Sequence, residues 1–179
     1  TFTESGANPA GGYQANTTAG FSIVDYTGTG ANGTVSHGLG AVPQFIIVKN
    51  RTTGLNWAVY SVGLDFPTDD LAYLNLTNAV NQHDPTWNNV VPTSSVFTVG
   101  SYTLTNEDSS ALIAYCWTSI QGYSKFGSYV GNGNADGPFV YTGFKPAFLI
   151  AKEIVVRNWT MAASKMQPNG NGSVTNSHQ

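Results

Sequence analysis

Residues 20–57, GFSIVDYTGTGANGTVSHGLGAVPQFIIVKNRTTGLNW, and residues 122–159, GYSKFGSYVGNGNADGPFVYTGFKPAFLIAKEIVVRNW, follow one pattern. Setting Tyr26 on Tyr129 brings Gly28 onto Gly131, Gly30 onto Gly133, Gly40 onto Gly143, Pro43 onto Pro146, Phe45 onto Phe148, Ile47 onto Ile150 and Lys49 onto Lys152. One residue gained before this match and one lost after it bring Gly20 onto Gly122 and Trp57 onto Trp159. An internal repeat constrains the fold before any element is assigned, because it sets the unit that folds. The shared positions are glycines where a chain turns, prolines ahead of strands, and alternating apolar residues. The polar residues are not shared: His37 falls opposite Val140, Asp25 opposite Ser128 and Asp136 opposite Gly33. The pattern therefore duplicates a scaffold, and it argues against a duplicated catalytic centre.

Between the turn clusters the apolar residues alternate with the period of a strand. Phe21 to Tyr26, Thr34 to His37, QFIIVKN, WAVYSV and LAYLNL each read as strands, and Val96 to Leu104 reads as a hairpin turning at Gly100. QFIIVKN and SSALIAYCWTSI are apolar on both faces, which predicts central strands covered on both sides. A helix of about three turns can be drawn over the second run, but no other stretch supports a helix of any length. Only 9% of residues are charged, against roughly 25% in an ordinary domain, and the polar residues are mostly Asn, Thr, Ser and Gly. The expected fold is all-β, β-sandwich-like and built from two related repeats, the second incomplete. Its units are residues 1–19 as a linker or N-terminal extension, 20–121 as the first repeat, 122–165 as the second and 166–179 as a polar tail. The expected core holds Phe45, Ile47, Trp57, Ile113, Tyr115, Trp117, Phe148 and Ile150.

The second repeat stops early. After Trp57 the first continues through further strands to Ile120, whereas after Trp159 the chain offers TMAASK and then MQPNGNGSVTNSHQ. Either the chain is a piece of something longer or the missing strands come from another subunit, since an unpaired sheet edge must be covered. The expectation is that residues 144–163 are covered by a neighbouring molecule.

The chemistry-bearing residues are sparse. Asn132, Asn134, Asp136 and Gly137 spell N-x-N-x-D-G, the first half of a calcium loop, but position twelve is Gly143 rather than the bidentate Glu. A Gly-rich turn is the simpler reading, and calcium is the one cofactor such a loop could take. His83 with Asp84 could form half a catalytic pair or part of a metal site, and Asp65, Asp69, Asp70 and Asp84 could supply the two carboxylates of a polysaccharide depolymerase. No nucleophile elbow, phosphate loop or zinc-protease motif accompanies them, so the residues favour a non-enzymatic protein. Tyr26, Trp87, Tyr129 and Tyr141 lie in or beside polar loops, where flat rings with nearby amides hold sugars. The alternative for Tyr26 and Tyr129 is that equivalent tyrosines pin equivalent strand ends. Seven Lys plus Arg and a net charge of −3 leave no basic face for nucleic acid. No apolar run is long enough to span a membrane. Cys116 stands alone in an apolar run and reads as an inert core thiol.

GFSIVDYTGTGANGTVSHGLGAVPQFIIVKNR, YLNLTNA, TSSVFTVG, IAYCW and GYSKFGSYVGNGNADGPFVYTGFKPAFLIAK resemble a repeat family in structural proteins of marine bacteriophages, cyanophages in particular. The resemblance covers residues 20–160 and implies a virion or other extracellular surface protein of tails or fibres. It supplies no catalytic residues; self-association or contact with other virion proteins is expected from the incomplete second repeat, and contact with host glycans from the loop aromatics. A secreted carbohydrate-binding module is the alternative.

Overall fold

The computed structural model describes residues 3–4, 11–64 and 70–164. In chain order the strands of the first half are β1 (Thr3–Glu4), β2 (Gly11–Asn16), β3 (Phe21–Thr27), β4 (Gly33–Ser36), β5 (Phe45–Asn50), β6 (Ala58–Ser61), β7 (Asp70–Tyr73) and β8 (Asn81–Gln82). They are followed by β9 (Val96–Val99), a single helical turn α1 (Thr103–Asn106), β10 (Ala111–Trp117), β11 (Phe148–Ala151) and β12 (Thr160–Ala163). The fold is thus essentially all-β, with every named strand pair antiparallel.

An open eight-stranded sheet in the order β1-β2-β3-β10-β5-β6-β7-β8 is the frame. Its centre is β10, a strand and not a helix, which pairs with β3 on one edge and β5 on the other. The registers stack Ser22, Cys116 and Ile46 in one row, Val24, Ala114 and Val48 in the next, and Tyr26, Leu112 and Asn50 in the third. All nine are buried, because the ribbon of β4 and β9 lies over this face. Val35, Phe97 and Val99 from that ribbon, Trp87 from the loop before it and Leu104 from α1 close the main core.

Alternation puts the other parity on the opposite face. There the rows are Phe21, Trp117 and Phe45; Ile23, Tyr115 and Ile47; and Asp25, Ile113 and Lys49. The expected core falls mainly here, and this corrects it: of its eight residues only Ile47 is buried, while Phe45, Trp57, Tyr115 and Trp117 are partly buried in a smaller second cluster. Ile113 and Ile150 are half-buried and Phe148 is 59% exposed. Period two identifies two faces but not the one that receives the ribbon.

Two further expectations change. Residues 1–19 are not simply a linker, since β2 runs along β3 from Gly11↔Tyr26 to Asn16↔Phe21. A low apolar content hid this strand, in which Gly11 serves close approach: a Cβ there would lie 2.2 Å from the Asp25 carbonyl oxygen. Val96 to Leu104 is not a hairpin. β9 pairs with β4, and the chain after Gly100 turns into α1, where the Thr105 and Asn106 amides both donate to the Tyr102 carbonyl.

Within residues 122–159 the counterparts of β3 and β4 are not strands, and no residue from 119 to 164 is buried. The hairpin of β11 and β12 does form. It pairs Phe148↔Ala163 and Ile150↔Met161, as β5 and β6 pair Phe45↔Ser61 and Ile47↔Val59. Positive φ also recurs at matched glycines: Gly20 and Gly122 (63° and 77°), Gly30 and Gly133 (68° and 67°), Gly40 and Gly143 (68° and 83°).

Candidate functional site

Two of the four aromatic candidates belong to the core, which corrects their reading as sugar contacts. Tyr26 is 2% exposed, its hydroxyl donates to the Thr105 carbonyl at 2.6 Å, and its ring meets Phe97 edge-on. Burial, with a smaller contribution from Cys116, pushes its phenol well above the ordinary value. Trp87 is 1% exposed, donates from Nε1 to the Asp70 carbonyl at 3.2 Å and meets Tyr60 edge-on. Neither presents a face to a ligand. Tyr129 and Tyr141 are exposed, on the long segment between β10 and β11. The pair Tyr26 and Tyr129 thus differ in environment despite their matched positions, because Tyr26 is held between β2 and β10 and Tyr129 has no flanking strand among the described residues.

The Asn-rich loop uses its oxygens on itself. The Asn134 amide donates to Asn132 Oδ1 at 3.0 Å, the Asp136 amide to Asn134 Oδ1 at 3.2 Å, and Asn132 Nδ2 to the Asp136 carbonyl at 2.9 Å. These are successive Asx turns, and among the described residues no group of three His, Cys, Asp or Glu is placed to hold a metal ion. Of the acidic candidates, Asp70 is buried in β7 and Asp84 is exposed, while Asp65 and Asp69 lie outside the described residues. His83 Nδ1 is 2.8 Å from Thr86 Oγ1, and its ring packs on Tyr102. Cys116 is fully buried, and burial raises its thiol far above the ordinary value.

Sequence reasoning passed over several polar residues whose side chains are held by the fold. Asn106, fully buried, accepts from the Thr29 amide through Oδ1 and donates through Nδ2 to the carbonyls of Ala31 and Gly100. Next to it the Glu107 carboxylate accepts from Ser110 Oγ, Asn50 Nδ2 and Thr53 Oγ1, which together hold it below the usual carboxylate range. These contacts tie three loops together at one end of the sheet. Nothing in a lone N-E dipeptide announces them, since Thr29, Ala31, Asn50 and Thr53 lie more than fifty residues away along the chain.

His37 is a third such residue. Its ring is fully buried, Nε2 faces the Thr93 carbonyl at 3.1 Å, and Nδ1 accepts from the Leu39 amide at 3.2 Å. A proton on Nδ1 would oppose that amide, and burial lowers the imidazole from its ordinary value despite the Thr93 contact. The unfolded chain therefore takes up the proton first, so the contribution of His37 is complete above about pH 6.5 and is lost as pH falls towards the lowered folded value. The urea midpoint should drop between neutrality and about pH 5.5, and His37→Gln should flatten that drop. A wild-type midpoint independent of pH over this range would contradict the assignment.

Part of the apolar surface is also open. On the second face Phe21, Trp117 and Phe45 form a cross-strand row with ring centroids 5.1 and 5.7 Å apart, and Phe126 stacks on Phe45 at 5.7 Å. All are half-buried. Trp159 covers the far end of this face and donates from Nε1 to the Tyr73 carbonyl at 2.8 Å. The Asp25–Arg51 ion pair borders it. Beyond it the β11–β12 hairpin exposes Phe148 (59%), Leu149 (47%) and Met161 (42%), with Val155 and Val156 exposed in its connecting loop.

No curated protein and no solved structure matches the chain. A family model described as a domain of unknown function, DUF7483, matches residues 6–178, and the chain therefore belongs to the DUF7483 family.

Proposed function

We propose that this chain is a non-enzymatic structural module of an extracellular assembly of the phage tail or fibre kind. In this reading its two related segments are repeats of one sandwich-like unit, and a neighbouring molecule completes the second. The observation that carries it is the β11–β12 hairpin, which repeats the register of β5 and β6 without, among the described residues, the strands that flank and cover those two. Leaving the large apolar side chains of such a hairpin in water forfeits roughly 1.5–3 kcal/mol each, and a neighbour recovers that free energy. The matched positive-φ glycines support the repeat, and the β4–β9 ribbon over the main sheet supports the sandwich. The phage setting rests on the sequence resemblance. Glycan contact is a second reading, supported by the exposed rings of Tyr129 and Tyr141 beside Asn132, Asn134 and Asp136.

Light scattering tests the assembly directly. The wild-type chain should form a multimer, and the double substitution Phe148→Asp with Leu149→Asp should return it to a folded monomer, since both side chains are exposed in the single chain, with a melting temperature below that of the multimer because the neighbour's contribution is lost. A wild type that stays monomeric at high concentration would refute the reading.

A further inference from the structure

We propose that the free edge of β11 accepts one extended strand with the side-chain pattern of β10, supplied by another polypeptide and added antiparallel. This rests on the assembly reading above and specifies the occupant of the incomplete repeat. β5 has two partners: β6 on one edge, and on the other β10, which sets Trp117 opposite Phe45, Cys116 opposite Ile46, Tyr115 opposite Ile47 and Ala114 opposite Val48. β11 keeps the first partner, since β12 pairs with it in the register of β6. On its second edge no strand is paired among the described residues.

Transposing the register of β10 onto β11 defines the chemistry of the missing strand. A bulky aromatic stands opposite Phe148, a thiol-sized residue opposite Leu149, a second aromatic opposite Ile150 and a methyl-sized residue opposite Ala151. The occupant is therefore uncharged and extended, with small or branched side chains on the parity of Leu149 and large ones on the parity of Phe148. Main-chain hydrogen bonds supply affinity at such an edge, and alternate side chains supply selectivity. The chain's own β10 is committed, for both its edges are paired and Leu112, Ala114 and Cys116 are fully buried. The β10 strand of the same molecule is therefore not the occupant.

The register can be read with a thiol. A synthetic peptide of residues 110–118, with lysines appended for solubility, carries the cysteine that would lie opposite Leu149. Directly opposed residues of an antiparallel pair have Cα atoms about 4.5–5.5 Å apart, within disulfide range. Under mild oxidation the full-length Leu149→Cys variant should form a mixed disulfide with this peptide. Ile150→Cys, whose side chain leaves the other face, should not, and neither should wild type, whose Cys116 is buried. A peptide with proline in place of the central alanine should lose the adduct, because proline cannot donate to the ladder.

Equal adducts with Ile150→Cys or with the proline peptide would overturn the proposal. So would Leu149→Cys cross-linking to its own kind in excess peptide, which would assign the edge to β11 of a second molecule. Light scattering on untreated wild type separates the two failures. A monomer that forms the register-specific adduct refutes self-association and keeps the acceptor edge, whereas a multimer that forms no adduct keeps the assembly and refutes the acceptor strand.

Discussion

Replacing Trp87 by alanine should lower stability by about 3–5 kcal/mol, as for other large aromatics removed from a core. The indole is 1% exposed and lies between the main sheet and the loop that leads into β9, with Tyr60 edge-on at 5.8 Å. Its loss opens a cavity that the surrounding chain can fill only in part. That chain is already constrained: Asn88 and Asn89, the next two residues, both sit at positive φ, and a Cβ on Gly100 would fall 1.9 Å from the Pro85 carbonyl oxygen. In a domain of this size the loss corresponds to a melting temperature lower by roughly 10 °C. Trp87→Phe keeps most of the packing and forfeits the bond to the Asp70 carbonyl, for a cost near 1 kcal/mol. Chemical denaturation of the two variants checks both values. A Trp87→Ala protein of wild-type stability would return the residue to the surface and revive it as a ligand contact.

Asn106 should give the next largest effect through polar satisfaction. Asn106→Ala strands the Gly100 carbonyl in a buried site and the Thr29 amide in a half-buried one, while the exposed Ala31 carbonyl keeps the Thr29 hydroxyl, and each orphaned group costs about 1–3 kcal/mol. A total loss of about 3 kcal/mol or more follows, with water admitted to the site moderating it. Asn106→Asp is the sharper probe, since it keeps the shape and replaces two donors by a carboxylate facing two carbonyl oxygens. Burial and those carbonyls raise the folded pKa of such a group above its unfolded value. Its penalty is therefore smallest in acid, where the carboxyl can donate one bond, and grows as pH rises past the unfolded value near 3.9. Urea titrations of Asn106→Asp and wild type at acid and neutral pH measure this difference. A penalty independent of pH would show that the side chain reaches water.

Both residues show why so much of the interior was illegible beforehand. Trp87 stands in a polar stretch, NQHDPTWNN, and its neighbours announce a surface loop. It is buried because Tyr60 and Asp70 come from strands that the loop folds back upon. Asn106 and Glu107 look like a polar hairpin tip until the loops around Thr29, Asn50 and Gly100 converge on them. The composition of residues 11–16 likewise concealed β2, whose strand character comes from pairing with β3 rather than from its own propensity.

The sequence by itself determined the local alphabet: period-two runs made β3, β5, β6, β9 and β10, and glycine clusters made the turns between them. It also matched FIIVKN with FLIAKE, and those two stretches pair with their following strands in the same register. Tertiary structure alone decided which parity is core. Alternation is symmetric between the two faces of a strand, and only the arrival of the β4–β9 ribbon, joined through pairs as distant as Val35 and Phe97, breaks that symmetry. It decided in the same way that Tyr26 is buried and Tyr129 exposed. A strand owes its burial to the neighbours that flank and cover it, and those neighbours are supplied by the fold around it.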